Sequence, residues 1–122
     1  MSAHEFKSEN KTISGREFQF WHFNVSHGSL LVRSPKSSAF KSNVDLIFAG
    51  VEFVSLPRYL NEITMDWASF EELELIGNQL ASQLEPSSKA YVIQDQFARH
   101  LIVAVGFKLE TNERDFIDTG FG

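Results

Sequence analysis

The chain has 122 residues, a net charge of −5 and no cysteine. A chain of this length folds as one domain and buries enough surface to be stable without disulfides, and the lack of cysteine also excludes thiolate metal sites and cysteine nucleophiles. No apolar run approaches the ~20 residues of a membrane-spanning helix, and the basic residues are scattered rather than gathered into a phosphate-binding stripe. We therefore expect a single domain over residues 1–122 that binds neither nucleic acid nor membrane.

Residues 1–16 are polar apart from a few anchors such as Phe6 and Ile13. We expect a frayed leader with a short ordered piece near Phe6. Because this stretch has no apolar core of an export signal, we expect a cytoplasmic protein.

Residues 17–35 are typical of a β-hairpin, with His27 and Gly28 as a two-residue turn in which glycine supplies positive φ. That register predicts an apolar face and a more polar face. The apolar face is Trp21, Phe23, Val25, Leu30 and Val32, and the other is His22, Asn24, Ser26, Ser29, Leu31 and Arg33. In this register Phe18 and Phe20 would fall on the more polar face. This predicts either a bulge near Phe20 or a sheet end covered on both sides.

A loop over residues 34–42 leads to the most apolar stretch of the chain, residues 43–57. The alternation slips by one residue at Gly50, so we predict one strand bent there or two short strands joined there. The predicted buried face is Val44, Leu46, Phe48, Val51 and Phe53. Asp45 and Glu52 are expected to face water, and Pro57 ends the strand.

Residues 58–61 are predicted to form a turn, and residues 62–67 a short strand. Residues 69–84 are predicted to form the single helix, because Ser69 and Glu72 have capping-box spacing and Pro86 enforces a stop. Its apolar stripe is Phe70, Leu73, Ile76, Gly77, Leu80 and Leu84.

Residues 90–111 are predicted to form a second hairpin with a turn at 95–98, and residues 112–122 a tail. The stripe of the return strand is Leu101, Val103, Val105, Phe107 and Leu109. Together these elements predict an α+β fold, with a mostly antiparallel sheet of about six strands and one helix on one face. The alternative is a β-sandwich or partly open barrel with an accessory helix.

Three segments resemble a pattern found in small uncharacterised bacterial proteins of about this length. They are residues 22–27 (His-Phe-Asn-Val-Ser-His), 30–34 (Leu-Leu-Val-Arg-Ser) and 50–57 (Gly-Val-Glu-Phe-Val-Ser-Leu-Pro). The resemblance implies a bacterial single-domain protein and says nothing about its chemistry.

The sequence lacks the common catalytic motifs, such as a nucleophile elbow, a phosphate-binding glycine loop or a His-Glu-x-x-His helix. Of the histidines His4, His22, His27 and His100, two lie on the more polar faces of their hairpins. His22 and His100 could bind a metal with a carboxylate if those hairpins were neighbours. Nothing in the spacing requires this, so we predict no cofactor, no metal site and no catalytic residue.

The second face of the predicted sheet carries more large apolar groups than a solvated face normally does. The candidate binding residues there are Phe20, His22, Asn24, Leu31, Arg33, Ile47, Glu52 and Val54. A loop or the tail could cover this face, a protein partner or a second copy could bind it, or it could form a small-molecule cleft with His22 and Arg33 as polar anchors.

We therefore expect a non-enzymatic binding or protein-interaction module, acting on a protein partner or by self-association as a homodimer. The alternative is a small hydrolase or metal-assisted enzyme that uses His22, His100 and a carboxylate. We favour the first because acid–base chemistry requires converging groups, and the sequence displays none.

Overall fold

A computed structural model describes residues 6–80 and 87–121, without the side chains of residues 79 and 80. Within these residues the chain forms two helices and nine strands. They are α1 (Lys7–Ile13), β1 (Glu17–Asn24), β2 (Ser29–Ser34), β3 (Asn43–Ala49), β4 (Phe53–Val54), β5 (Tyr59–Asn61), β6 (Thr64–Trp67), α2 (Phe70–Leu80), β7 (Lys89–Gln94), β8 (Arg99–Ala104) and β9 (Gly106–Asn112). The predicted α+β class with antiparallel pairing is confirmed. No helix in this part of the chain is long and apolar enough to cross a membrane.

The strands form two antiparallel sheets rather than the predicted single sheet. One sheet has five strands in the order β5-β1-β2-β3-β9, and the other has four in the order β4-β8-β7-β6. The main core contains side chains from both sheets, for example Phe18, Leu46 and Phe48 from the first and Met65 and Ile93 from the second. The two sheets therefore face each other across one apolar core.

Two neighbouring stretches of chain pass from one sheet to the other. β3 leads through Gly50, at φ 63°, into β4, which confirms the prediction of two short strands joined at Gly50. The predicted buried face divides at this point, because Val51 packs against the main core and Phe53 packs against a second cluster. The predicted return strand is likewise split at Val105 into β8 and β9.

The split at Val105 also divides the predicted stripe of the return strand. Leu101 and Val103 lie in the second cluster, whereas Phe107 and Leu109 pack against the main core. Val105 itself is 39% exposed. Val105 is the residue between β8 and β9, and this one extra residue reverses which set of alternate side chains faces the main core.

Helix α2 begins with the predicted capping box. The Ser69 N–H donates to Glu72 Oε1 at 2.8 Å, and the Glu72 N–H donates to Ser69 Oγ at 3.2 Å.

Of the predicted stripe, Ile76 is buried in the second cluster on the outer face of the four-stranded sheet. Phe70 and Leu73 are 73% and 49% exposed, so the prediction that they pack inward is wrong. Of the described side chains in the stripe, Ile76 is the one that packs in this cluster; the side chain of Leu80 and residues 81–84, including Leu84, lie outside the described part.

The first hairpin has a longer turn than predicted. Its register pairs Asn24 with Ser29 and Phe23 with Leu30, so the predicted two-residue turn is wrong and Val25 is 84% exposed. The side chain of Asn24 closes the longer turn, because its Oδ1 accepts hydrogen bonds from the Ser26 hydroxyl and from the His27 N–H. The predicted bulge is confirmed, since the register shifts between Phe20 and His22.

Two segments expected to be irregular have regular structure. Residues 7–13 of the expected leader form α1, which buries Phe6 and Ile13 in the main core. Asn10 ties this helix to β6, because its amide nitrogen donates to the Met65 carbonyl at 3.2 Å and its Oδ1 accepts from the Met65 N–H at 2.6 Å. Within the predicted turn at 58–61, Tyr59–Asn61 form β5 and pair with β1.

Candidate binding groove beside strand β1

The outer face of the five-stranded sheet is covered by residues 113–121, which we call the strap. Arg33 Nη2 donates to the carbonyl of Asp118 at 3.0 Å. The ring of Phe116 stands edge-on to Trp21, with centroids 4.9 Å apart. These contacts hold the strap across β1 and β2, on the face that the sequence analysis singled out.

Beneath the strap lies a fully buried ion pair. Arg33 Nε donates to Asp45 Oδ1 at 2.7 Å and Arg33 Nη2 donates to Oδ2 at 3.0 Å, with both residues at 0% exposure. Asn112 Nδ2 also donates to Asp45 Oδ2, at 2.9 Å. The expectation that Asp45 faces water is therefore wrong. A buried ion pair has a large desolvation cost, so its stability depends on these additional hydrogen bonds.

Four of the predicted binding residues lie on this outer face. His22 pairs with Leu31, and Leu31 pairs with Ile47. Leu31 and Arg33 are completely buried, Ile47 is half-buried, and the His22 ring lies 5.5 Å from the ring of Phe121. Of these four side chains, His22 is the one that borders the groove described next.

The other four predicted residues are directed elsewhere. Phe20 and Val54 pack against the main core between the sheets, although Phe20 also borders the groove described next. The carboxylate of Glu52 accepts a hydrogen bond from the Ser88 hydroxyl, and the side chain of Asn24 closes the hairpin turn. The eight predicted residues therefore do not form one continuous surface. The prediction assumed that alternate residues stay on the same face of the sheet, but the bulge in β1 and the crossing at Gly50 each shift that alternation.

A groove of about 340 Å³ lies between β1 and the strap, and we call it the β1 groove. Its described lining residues are Gln19, Phe20, Trp21, His22, Arg58, Phe116, Ile117 and Thr119. Phe116 and Ile117 are 73% and 88% exposed. Grooves that combine apolar walls with a few polar groups are typical binding sites. Arg58 and the strap residues are not among the predicted binding residues. The apolar pair Phe116 and Ile117, within an otherwise polar segment, is the signal that could have identified the strap.

The β1 groove lies beside an open sheet edge. β1 pairs with β5 only along residues 17–19, and one further bond joins the Phe20 N–H to the Arg58 carbonyl at 2.9 Å. Beyond that point residues 21–24 have only β2 beside them in the described structure. Pro57, which precedes Arg58, has no N–H with which to continue the pairing. The backbone edge of residues 21–24 is therefore open on the side away from β2 in the described structure.

The described lining of the β1 groove contains no acidic side chain, although the chain as a whole carries a net charge of −5. Arg58 is exposed and forms no ion pair with a described residue. Its guanidinium carbon lies 5.0 Å from the centre of the Tyr59 ring. Two strap carboxylates adjoin lining residues in the sequence: Asp115 lies 3.7 Å from Lys36 Nζ, and Asp118 Oδ1 accepts the Gly120 N–H. Arg58 is thus the one permanently charged side chain in the described lining.

The histidines of the enzyme hypothesis lie on different sheets. His22 is in β1, whereas His100 is in β8 and places its Nε2 3.0 Å from Asp95 Oδ2. Burial raises the pKa of Asp95, but the hydrogen bonds from His100, Phe97 and Ala98 outweigh this effect and hold the pKa below its ordinary value. Within the described residues, no group of three or more histidine and carboxylate side chains is placed to hold a metal ion.

Comparisons of the chain with models of protein families, with curated proteins and with solved structures found no match.

Proposed function

We propose that this protein is a non-enzymatic binding module that holds an extended segment of a protein partner along the open edge of β1. The observation that carries the proposal is that the β1 groove, with its aromatic walls, lies against the stretch where β1 lacks a second neighbour. Adding a peptide strand to an open edge is a recurrent mode of recognition, in which backbone hydrogen bonds supply affinity and pockets for alternate side chains supply specificity.

The partner peptide would continue the line of β5 in the antiparallel orientation that β5 itself has. β5 ends its pairing with β1 at Gln19, and the bond from Phe20 to Arg58 is the last step of that ladder. A peptide beside residues 21–24 would take the place that the chain leaves at Pro57. Its alternate side chains would then point toward the wall formed by Trp21 and Phe116.

The proposal is tested by selecting ligands from a displayed library of ten-residue peptides. A selected peptide is then titrated into ¹⁵N-labelled protein. We expect shifted amide resonances and slower hydrogen exchange at residues 21–24, because those backbone groups gain partners. We expect Ile117→Ser to weaken binding about tenfold through lost apolar contact, and Ile117 is exposed enough for this change to leave the fold intact. Phe40→Ala, outside the β1 groove, is the matched control and should leave affinity unchanged.

The proposal fails if the library yields no peptide with a Kd below about 100 µM, a generous limit for strand addition. It also fails if selected peptides shift amides elsewhere and leave residues 21–24 unaffected. A dimer in light scattering, with protection of the same amides that increases with protein concentration, would assign the edge to a second copy instead.

A further inference from the structure

We infer that the segment bound in the β1 groove is acidic, with a carboxylate held by Arg58 and an aromatic or long aliphatic side chain placed against Trp21 and Phe116. This inference rests on the proposed function and specifies the chemistry of the partner. The inference follows from three observations: Arg58 has no ion-pair partner among the described residues, the described lining contains no acidic side chain, and Trp21 and Phe116 form an aromatic wall.

Arg58 is exposed and therefore available to a ligand. It has no ion-pair partner among the described residues, and its guanidinium lies 5.0 Å from the ring of Tyr59. A guanidinium can rest one face on an aromatic ring while its N–H groups donate to a carboxylate in the same plane. Such charge-assisted bonds are about twice as strong as neutral ones. Arg58 can therefore bind a carboxylate while its guanidinium stays over the Tyr59 ring.

The local charge favours an anion despite the acidic chain. Exposed charges are screened beyond a Debye length of about 8 Å at physiological ionic strength. None of the acidic residues that give the chain its net charge of −5 is in the described lining, whereas Arg58 is part of it. Of the strap carboxylates beside the lining residues, Asp115 lies near Lys36 and Asp118 accepts the Gly120 N–H. Arg58 is therefore the charge that a bound side chain meets within the described lining itself.

The aromatic wall selects the second feature of the ligand. The rings of Trp21 and Phe116 are in edge-to-face contact, and Phe116 remains 73% exposed. An exposed ring gains stacking and apolar contact from a flat or long aliphatic side chain. In an extended peptide the side chains that enter one groove are two residues apart. We therefore expect the recognised segment to have an acidic residue two positions from an aromatic or aliphatic one.

The test uses two fluorescently labelled ten-residue peptides that contain Glu-x-Phe or Gln-x-Phe and are otherwise identical. Their Kd values are measured by anisotropy on the wild-type protein, on Arg58→Gln and on Lys11→Gln. Lys11 is an exposed cation in α1, so its change alters the net charge equally. We expect the Glu peptide to bind wild-type protein about tenfold more tightly than the Gln peptide, a preference that is lost in Arg58→Gln and kept in Lys11→Gln.

The outcomes separate this inference from the proposed function. Equal affinity of both peptides for wild-type protein, with shifted amides at residues 21–24, overturns the acidic preference and leaves strand addition supported. The inference also falls if the preference survives in Arg58→Gln, or if neither peptide binds while an unrelated library peptide does. Failure of the whole library overturns the proposed function itself.

Discussion

Gly50 and Val105 touch at the point where both crossing segments leave one sheet for the other. The Val105 N–H donates to the carbonyls of Ala49 at 2.9 Å and Gly50 at 3.3 Å. A Cβ added to Gly50 would lie 2.9 Å from Val105 Cγ2, and the glycine has a φ of 63°. The contact holds the two crossing segments next to each other. Gly50 is therefore needed both for its positive φ and for its lack of a side chain.

Gly50→Ala should lower the free energy of unfolding by at least about 1–2 kcal/mol, because an L-residue is strained at this φ and the methyl group meets Val105. Gly77→Ala is the matched control, since Gly77 lies within α2 with open space around the added Cβ. There the change should stabilise the protein by about 0.5–1 kcal/mol. Urea denaturation measures both, and equal effects of the two substitutions would contradict the role of Gly50.

Asp45→Ala should destabilise the protein by about 3–5 kcal/mol, because it leaves the guanidinium of Arg33 buried without its anion. The double variant Arg33→Met, Asp45→Leu should recover most of that loss, since it removes both charges and keeps the volume apolar. Denaturant unfolding of the two variants and the wild-type protein tests this. A double variant no more stable than Asp45→Ala would mean that the bonds to Asp118 and Asn112 matter more than the pair itself.

Glu72 should give the protein an acid-sensitive contribution to stability. Hydrogen bonds from Arg99 hold the pKa of Glu72 below its ordinary value of 4.5. A depressed pKa stabilises the fold above the unfolded-state pKa, and this stabilisation is lost as the pH falls through the folded-state pKa. The stability difference between wild-type protein and Glu72→Gln should therefore be constant from about pH 7 to pH 5 and shrink below that range.

The Glu72 prediction is checked by urea midpoints measured between pH 7 and pH 3. Glu74→Gln is the control, because Glu74 lies exposed on the same helix. A difference between wild-type protein and Glu72→Gln that stays constant down to pH 3 would argue against the ion pair with Arg99.

Asn43→Ala should loosen the strap and destabilise the protein by about 2 kcal/mol, because the buried Asn43 amide donates to the Arg114 carbonyl at 3.0 Å and to Asn112 Oδ1 at 2.8 Å. Hydrogen exchange should quicken at residues 113–121 more than in β2. Substitution of the exposed Asn78 should leave that exchange unchanged. Equal acceleration throughout the sheet would show that Asn43 supports the fold generally rather than the strap.

Local patterns predicted the features whose causes lie within a few residues. The capping box of Ser69 and Glu72 forms as expected, because both hydrogen bonds are made inside one helical turn. The break at Gly50 and the bulge near Phe20 were visible as slips in a two-residue period. The turn of the first hairpin was predicted wrongly, because the side chain of Asn24 stabilises a longer loop than the glycine alone suggests.

The β1 groove could not be predicted from the sequence of any one segment. Its walls come from residues 19–22, from Arg58 and from residues 116–119, which are distant along the chain. The outward position of Phe70 was equally hidden, since a helical stripe shows which side chains share a face and not how far that face is turned toward a sheet.

By itself the sequence determined the α+β class, the capped start of α2 and the position of the turn at Gly50, and it gave a bulge in β1 as one of two alternatives, because each depends on backbone preferences and side-chain period over short distances. Only the tertiary structure decided that the strands divide into two sheets, that the strap buries the pair of Arg33 and Asp45, and that an open edge adjoins an aromatic groove. Those features arise from contacts between residues far apart in the chain, whose free energy exists only once the segments have packed together.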